Sequence, residues 1–217
     1  MIIDLHLHTD KYSSCSNINL ESGLKKAKKI GLDGICITDH DSNGMKKEKD
    51  YLKFLEKKYD IKIFVGAEIL TNKGDVLVFG LDQLPRKYIK VTKLLEMVKK
   101  ENAVSIGAHP YRFFSGFNRA LGDNIKNLNL TAVEVYNGNT VLENNIKAYN
   151  IAEKNNFKMT GGSDAHNVKD IGKYATYFSG KINDINDLID SLQKGDYRPV
   201  QYRDGEYCFV EHEVSLL

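Results

Sequence analysis

The stretch MIIDLHLHTD carries Asp4, His6 and His8 at every second position of an otherwise apolar run. In a β-strand this spacing puts the three polar groups on one face and Ile3, Leu5 and Leu7 on the other. Polar groups lined up inside a protein must be hydrogen-bonded, paired with opposite charge, or bound to a cation. More such residues follow in short segments: His40 in TDHD, Glu68 in VGAEI, His109 in AHP, and Asp164 with His166 in GSDAH. Imidazole and carboxylate together are donors that suit zinc, manganese or iron. Each piece alone has a plainer explanation. HxH can be a hydrogen-bonded pair, TDHD a turn, GSD a helix cap, and Glu68 the partner of a lysine. A shared site is favoured because His6, His8, His40, Glu68, His109, Asp164 and His166 all fall at or just past the carboxyl ends of predicted strands.

Those strands are predicted at 2–8, 33–38, 61–67, 75–80, 103–108, 131–136, 158–162 and 174–179. Apolar residues at three- and four-residue intervals predict helices at 21–30, 44–58, 86–101, 140–155 and 184–194. Gly31 and Gly195 are placed to end helices, and Pro85 to start one. The alternation predicts an α/β fold of βα units, closed most economically as a small (β/α) barrel, with an open doubly wound sheet as the alternative. In an α/β barrel the carboxyl ends of the strands build the active site. Parity agrees: Cys36, Thr38 and His40 share a face, as do Phe64, Gly66 and Glu68, and Gly162, Asp164 and His166, with Ile35, Ile37, Ile63 and Val65 outward. Asp204-Gly205 between β-prone arms predicts a type I′ hairpin at the carboxyl end. One domain is expected over 1–217, with a core of about 1–195 and a hairpin extension at 196–217.

Composition narrows the partners. Lys+Arg of 31 against Asp+Glu of 29 leaves a net charge of +2, so charge does not indicate nucleic acid. A chain of 217 residues buries a core without staples, so a metal here would be functional. Cys15, Cys36 and Cys208 are odd in number and unrelated in spacing, which argues against a disulfide framework. Asp4 and His6 interrupt the apolar start, and no uncharged run is long enough to span a bilayer. A cytoplasmic protein without a membrane partner is expected.

DLHLHT, TDHD, GAE, AHP and GSDAH, in that order over residues 4 to 166, resemble the polymerase and histidinol phosphatase (PHP) family of metal-dependent phosphoesterases. The βα rhythm extends the likeness to about residue 195. The resemblance implies a distorted (β/α)7 barrel holding two or three divalent metal ions, manganese, iron or zinc. It would give one metal to His6, His8, Glu68 and Asp164, with Glu68 bridging to a second completed by His109, and a third to His40 and His166. The chain departs from that pattern twice. Where the third metal takes a further His or Asp, it reads DKYSSCS, with Ser14 or Cys15 in place and Asp10 the nearest carboxylate. Where a histidine for the second metal is usual, it has Asp75.

The activity so implied is hydrolysis of a small phosphomonoester or nucleotide-like phosphoester by a water that two metals activate. Glu68 and Asp164 would set the metal spacing, and His40 or His166 would protonate the leaving oxygen. The segment HPYRFFSGFNRALGDN adds Arg112 as a phosphate clamp, with Tyr111, Phe113, Phe114, Phe117 and Arg119 as loop residues that either stack on substrate or pack the loop. Asp39 and Asp41 are read as acceptors for histidines or as turn formers, and Glu134 and Asn137 as strand-end residues of open role. Three other functions stay open: a nuclease on longer nucleic acid, a histidinol-phosphate phosphatase, and a metal-bound scaffold without catalysis.

Overall fold

The computed structural model describes residues 1–40, 42–85, 88–112 and 120–210. Among them the chain order is β1 (Ile2–Leu7), α1 (Leu20–Lys29), β2 (Gly34–Ile37), α2 (Lys49–Tyr59), β3 (Lys62–Val65), β4 (Ala67–Thr71) and β5 (Gly74–Phe79). There follow α3 (Val91–Lys100), β6 (Val104–Gly107), β7 (Ala132–Asn137), α4 (Leu142–Lys154), β8 (Met159–Gly162), β9 (Tyr174–Phe178), α5 (Ile185–Lys194), β10 (Tyr197–Arg203) and β11 (Glu206–Phe209). Local signals account for several boundaries. Asn19 caps α1 by accepting the Ser22 N–H, and Asp184 caps α5 by accepting two N–H groups. Gly31 and Gly195 follow α1 and α5 with φ of 82° and 88°, the left-handed conformation glycine adopts freely. The start expected at Pro85 is not found: α3 begins at Val91.

The strands fall into two sheets, ordered β11-β10-β9-β1-β2-β3 and β4-β5-β6-β7-β8. The ladders therefore form a mixed α/β domain and not the closed barrel that was expected. The physical reason lies at 61–67, read from sequence as one strand. Gly66 separates β3 from β4 there, and a Cβ at Gly66 would lie 2.4 Å from Phe79. Beyond it β4 pairs antiparallel with β5, and β5 antiparallel with β6, so the βα rhythm is broken. The sheets still meet along two seams. At one, the Gly66 and Glu68 N–H groups donate to the Ile37 and Thr38 carbonyls, both at 2.9 Å. At the other, the Asp164 N–H donates to the His6 carbonyl at 2.7 Å and the His8 N–H to the Ala165 carbonyl at 3.1 Å. Glu68 and Asp164 each sit on a seam.

A central apolar cluster draws Ile3, Leu5, Phe64, Leu77, Phe79 and Ile106 from both sheets, together with Leu188 and Leu192 of α5. Helices α1 and α2 cover the outside of one sheet through Leu24, Ala27 and Leu55, and α3 and α4 cover the other through Leu94, Val98 and Ala148. The expected hairpin is present. Strand β10 pairs with β11, Arg203 faces Glu206, and Asp204 and Gly205 both have positive φ, 54° and 96°.

Candidate metal centre

The site begins with an irregularity in β1. Asp4 pairs with Ile35 and Leu7 with Ile37, so β1 spends one residue more than β2 between the same rungs. Such a bulge swaps the faces of the residues that follow it. Ile3 and Leu5 accordingly belong to the central cluster, while Leu7 packs outside with α1 and α2. His6 and His8 turn inward. Asp4 does not share their face as the alternation predicted. Its carboxylate instead accepts N–H groups from His6, Ser163 and Gly172 at 3.2, 2.9 and 3.1 Å, tying the bulge to the turn that carries Asp164.

Five buried side chains converge there: His6, His8, Glu68, His109 and Asp164 are each 3% exposed or less. His6 Nε2 lies 3.2 Å from His8 Nε2, 3.3 Å from Asp164 Oδ1 and 3.6 Å from Glu68 Oε2. His8 Nε2 lies 3.2 Å from Glu68 Oε2 and 3.3 Å from Asp164 Oδ1. His109 Nε2 lies 2.8 Å from Glu68 Oε1. The two Glu68 oxygens thus face different histidines. Asp164 Oδ1 and His109 Nδ1 are buried without a hydrogen-bond partner. Asp164 Oδ1, an orphaned acceptor among convergent imidazoles, fits a cation better than a hydrogen-bond network. Three groups here each bring their ligand atoms within 4.8 Å: His6 with His8 and Glu68, His6 with His109 and Asp164, and Glu68 with Asp75 and His109.

The surrounding backbone is held in uncommon conformations. His109 and Asp164 have φ of 27° and 49°, a region costly for residues with a Cβ, and both stand at strand ends. Glu134 orients two histidines at once. Its Oε1 lies 3.0 Å from His6 Nδ1, and its Oε2 accepts the His109 N–H and an Asn137 side-chain N–H, both at 2.9 Å. A carboxylate on Nδ1 directs the Nε2 lone pair into the cluster. Gly162 makes room, because a Cβ there would lie 2.6 Å from Glu134 Oε1 and 2.7 Å from His6 Cβ. Strand-end parity was the only sequence signal for Glu134. Asp39 has a fastening role instead: it accepts the Thr9 N–H and hydroxyl at 2.6 and 2.5 Å, joining β1 to β2.

The cluster is electrostatically incomplete. Burial disfavours charge on His6, yet Asp164, Glu134 and Glu68 raise its pKa well above the usual value. Against the same burial cost, Asp164 and Glu68 push His8 up to about 9. In return, and despite burial, the histidines hold Glu68 and Asp164 below the ordinary carboxylate range. Two buried carboxylates require positive charge beside them, which protons or a metal can supply. Burial lowers His40 and His166 instead, and His8 lowers them further.

The remaining candidates lie around this centre. His40 is 49% exposed, with Nδ1 3.6 Å from Glu68 Oε2, and His166 places Nδ1 3.7 Å from Asp164 Oδ1. Their metal groupings separate: His166 joins His8 and Cys15 within 4.8 Å, and among the described residues no such group includes His40. The Arg112 guanidinium pairs with Asp164 Oδ2. Tyr111 is not a stacking residue. It is buried in the core, Lys147 of α4 lies over its ring, and its hydroxyl donates to Asp123 at 2.5 Å. Asp10 is exposed. Asp41, Phe113, Phe114, Phe117 and Arg119 lie outside the described residues.

A family model described as PHP-associated matches residues 143–197. The functionally uncharacterized protein MJ1587 of Methanocaldococcus jannaschii is 34% identical over 149 residues, 63% of this chain and 82% of that protein. The fold is similar to the crystal structure of PsfC from Pseudomonas syringae PB-5123, with a TM-score of 0.69, 22% identity, and coverage of 94% of this chain and 92% of that one. It is also similar to a protein of Bifidobacterium adolescentis assigned as a metal-dependent phosphoesterase, with a TM-score of 0.63, 16% identity, and coverage of 89% and 96%.

Proposed function

We propose that this chain is a metal-dependent phosphoesterase of the PHP family that hydrolyses a small phosphomonoester or nucleotide-like phosphoester, a reading supported by the PHP-associated match over residues 143–197. The observation that carries the reading is the convergence of three histidine Nε2 atoms on Glu68 and Asp164 in a buried centre. His6, His8, Glu68 and Asp164 would hold one divalent cation, and Glu68, His109 and Asp75 a second. Manganese, iron and zinc all suit these donors. Such cations, when bound, supply positive charge to phosphoryl oxygens and acidify water. The two sheets, meeting at Gly66 and at the Leu7–Ala165 bridge, are read as the split wall of a distorted (β/α)7 barrel.

The chain's own groups then have separate tasks. Glu68 presents one oxygen to His109 and the other to His6 and His8, so it would link the residues that hold the two cations. Arg112 stands over Asp164 at the edge of the centre, where its guanidinium can take a phosphate oxygen. His40 is half exposed beside Glu68 and is placed to exchange a proton with the leaving oxygen. The substrate is a small phosphorylated molecule in a reducing, cytoplasmic setting that suits three free cysteines. No helix among the described residues is long and apolar enough to cross a membrane.

Metal analysis of the purified protein, followed by assays with p-nitrophenyl phosphate and manganese, iron or zinc, tests the reading. Metal-dependent release of nitrophenol is expected, and Glu68→Gln should abolish it by about 100-fold or more while the protein stays folded. Bound metal with no turnover on any phosphoester would leave a non-catalytic module. Preference for an oligonucleotide over a nucleoside bisphosphate would make it a nuclease.

A further inference from the structure

The strand end VEVYN, residues 133–137, holds a second irregularity. From Glu134 to Tyr136 β7 advances two residues while β8 advances one, from Thr160 to Gly161. Strict alternation would place Glu134 and Asn137 on opposite faces. The extra residue brings both inward, while Val133, Val135 and Tyr136 pack with α3 and α4. Asn145 of α4 grips the Asn137 main chain: the Asn137 N–H donates to Asn145 Oδ1 at 3.1 Å, and its carbonyl accepts the Asn145 side-chain N–H at 3.0 Å. Both residues are buried. The Gly138 N–H donates to the Gly162 carbonyl at 3.0 Å, which fixes the following turn to the segment before Asp164. The Asn137 side chain has a single orientation that satisfies its neighbours. Its Oδ1 accepts the Asn139 N–H at 3.0 Å and the Thr140 hydroxyl at 2.9 Å, so its NH2 faces the other way. That NH2 donates to Glu134 Oε2 at 2.9 Å and to Asp164 Oδ2 at 3.3 Å. Asp164 Oδ2 also takes the Arg112 guanidinium, whereas Oδ1 has no hydrogen-bond partner.

We propose that Asn137 is a positioning residue for Asp164: its amide holds Oδ2, so that Oδ1 alone is offered to a cation, and it keeps that hold when Arg112 turns to a phosphate group. The inference rests on reading the inner centre as a metal site. The residue type follows from the two carboxylates it meets. An amide presents two N–H groups without charge, whereas a carboxylate at this position would add a third buried negative charge. Two donors share Oδ2, and their settings differ. Arg112 stands at the partly exposed edge of the centre, while Asn137 is buried and anchored to α4. Without Asn137, an Asp164 carboxylate that Arg112 has left would turn its second oxygen to the cation and fill a position that substrate needs.

Cobalt(II)-loaded full chain, wild type and Asn137→Ser, with inorganic phosphate added, tests this. Serine keeps an acceptor for the Asn139 N–H but is too short to reach Asp164. The ligand-field bands of the variant should be weaker than those of wild type by about twofold or more, because a second Asp164 oxygen raises the coordination number of cobalt. With p-nitrophenyl phosphate, kcat should fall by about 10–100-fold while KM stays within about twofold, the reverse of an Arg112 substitution. Thr140→Val removes a bond to Asn137 Oδ1 without touching Asp164, and should change neither readout. Should the serine variant fail to fold, the Asn137 side-chain N–H resonances of wild-type protein decide: zinc binding should move them, since zinc draws charge from the carboxylate they bond, and resonances that stay in place would overturn the role. A serine variant with the wild-type cobalt spectrum and kcat would overturn it too and leave the metal centre standing. Absence of any cobalt binding by wild-type protein would overturn both.

Discussion

Lowering the pH from about 9 to about 7 should weaken metal binding by about 50-fold, because His8 must lose a proton to become a ligand. Its pKa is pushed from 6.5 up to about 9 by Asp164 and Glu68 at 3.3 and 3.2 Å, against the cost of burial. In metal-free protein about half of the molecules have this imidazole free at pH 9 and only about one in 100 at pH 7, a difference of about 2 kcal/mol of binding free energy. His6 is raised as well, so the loss is at least that large. The stability of the metal-free protein runs the opposite way. A histidine raised above its unfolded value stabilises fully below about pH 6.5, and that contribution fades as pH rises through about 9. Thermal melts of metal-free protein should therefore fall across this window while metal-loaded protein holds, and the gap should widen. Chelator competition at both pH values measures the affinity, and calorimetry in buffers of different ionisation enthalpy counts the protons released. An affinity that is flat across the window, with no proton release, would refute the assignment of His6 and His8 as ligands.

Glu134→Ala should free the His6 ring and weaken metal binding by about 10–100-fold, read by the same competition, with the fold retained. Asp4→Ala leaves three buried N–H groups without their acceptor. At about 1–3 kcal/mol each, it should cost about 3 kcal/mol or more in urea unfolding, and a cost below about 1 kcal/mol would show that the β1 bulge does not depend on it. Arg112→Ala should lower kcat/KM by about 10–100-fold, chiefly through KM, and Arg112→Lys should not restore it because an ammonium lacks the planar fork. An unchanged KM would remove Arg112 from substrate contact.

The sequence by itself determined which chemistry is present and roughly where along the chain it lies. Histidines and carboxylates at strand ends are local facts, as are the Asn19 and Asp184 caps and the Asp204-Gly205 turn, each set by a few neighbouring residues. Alternation within β1 was also legible, but it misplaced Asp4, because a bulge is created by pairing with β2 and not by the strand alone. For the same reason the break at Gly66, forced by the Phe79 ring from another strand, was invisible in a continuous β-prone run. Only the tertiary structure decided that Glu134 orients His6 from 128 residues away and that Cys15 joins His8 and His166. Residue type is written in the chain; contact between distant residues follows from how two twisted sheets meet, and that is a property of the whole packing.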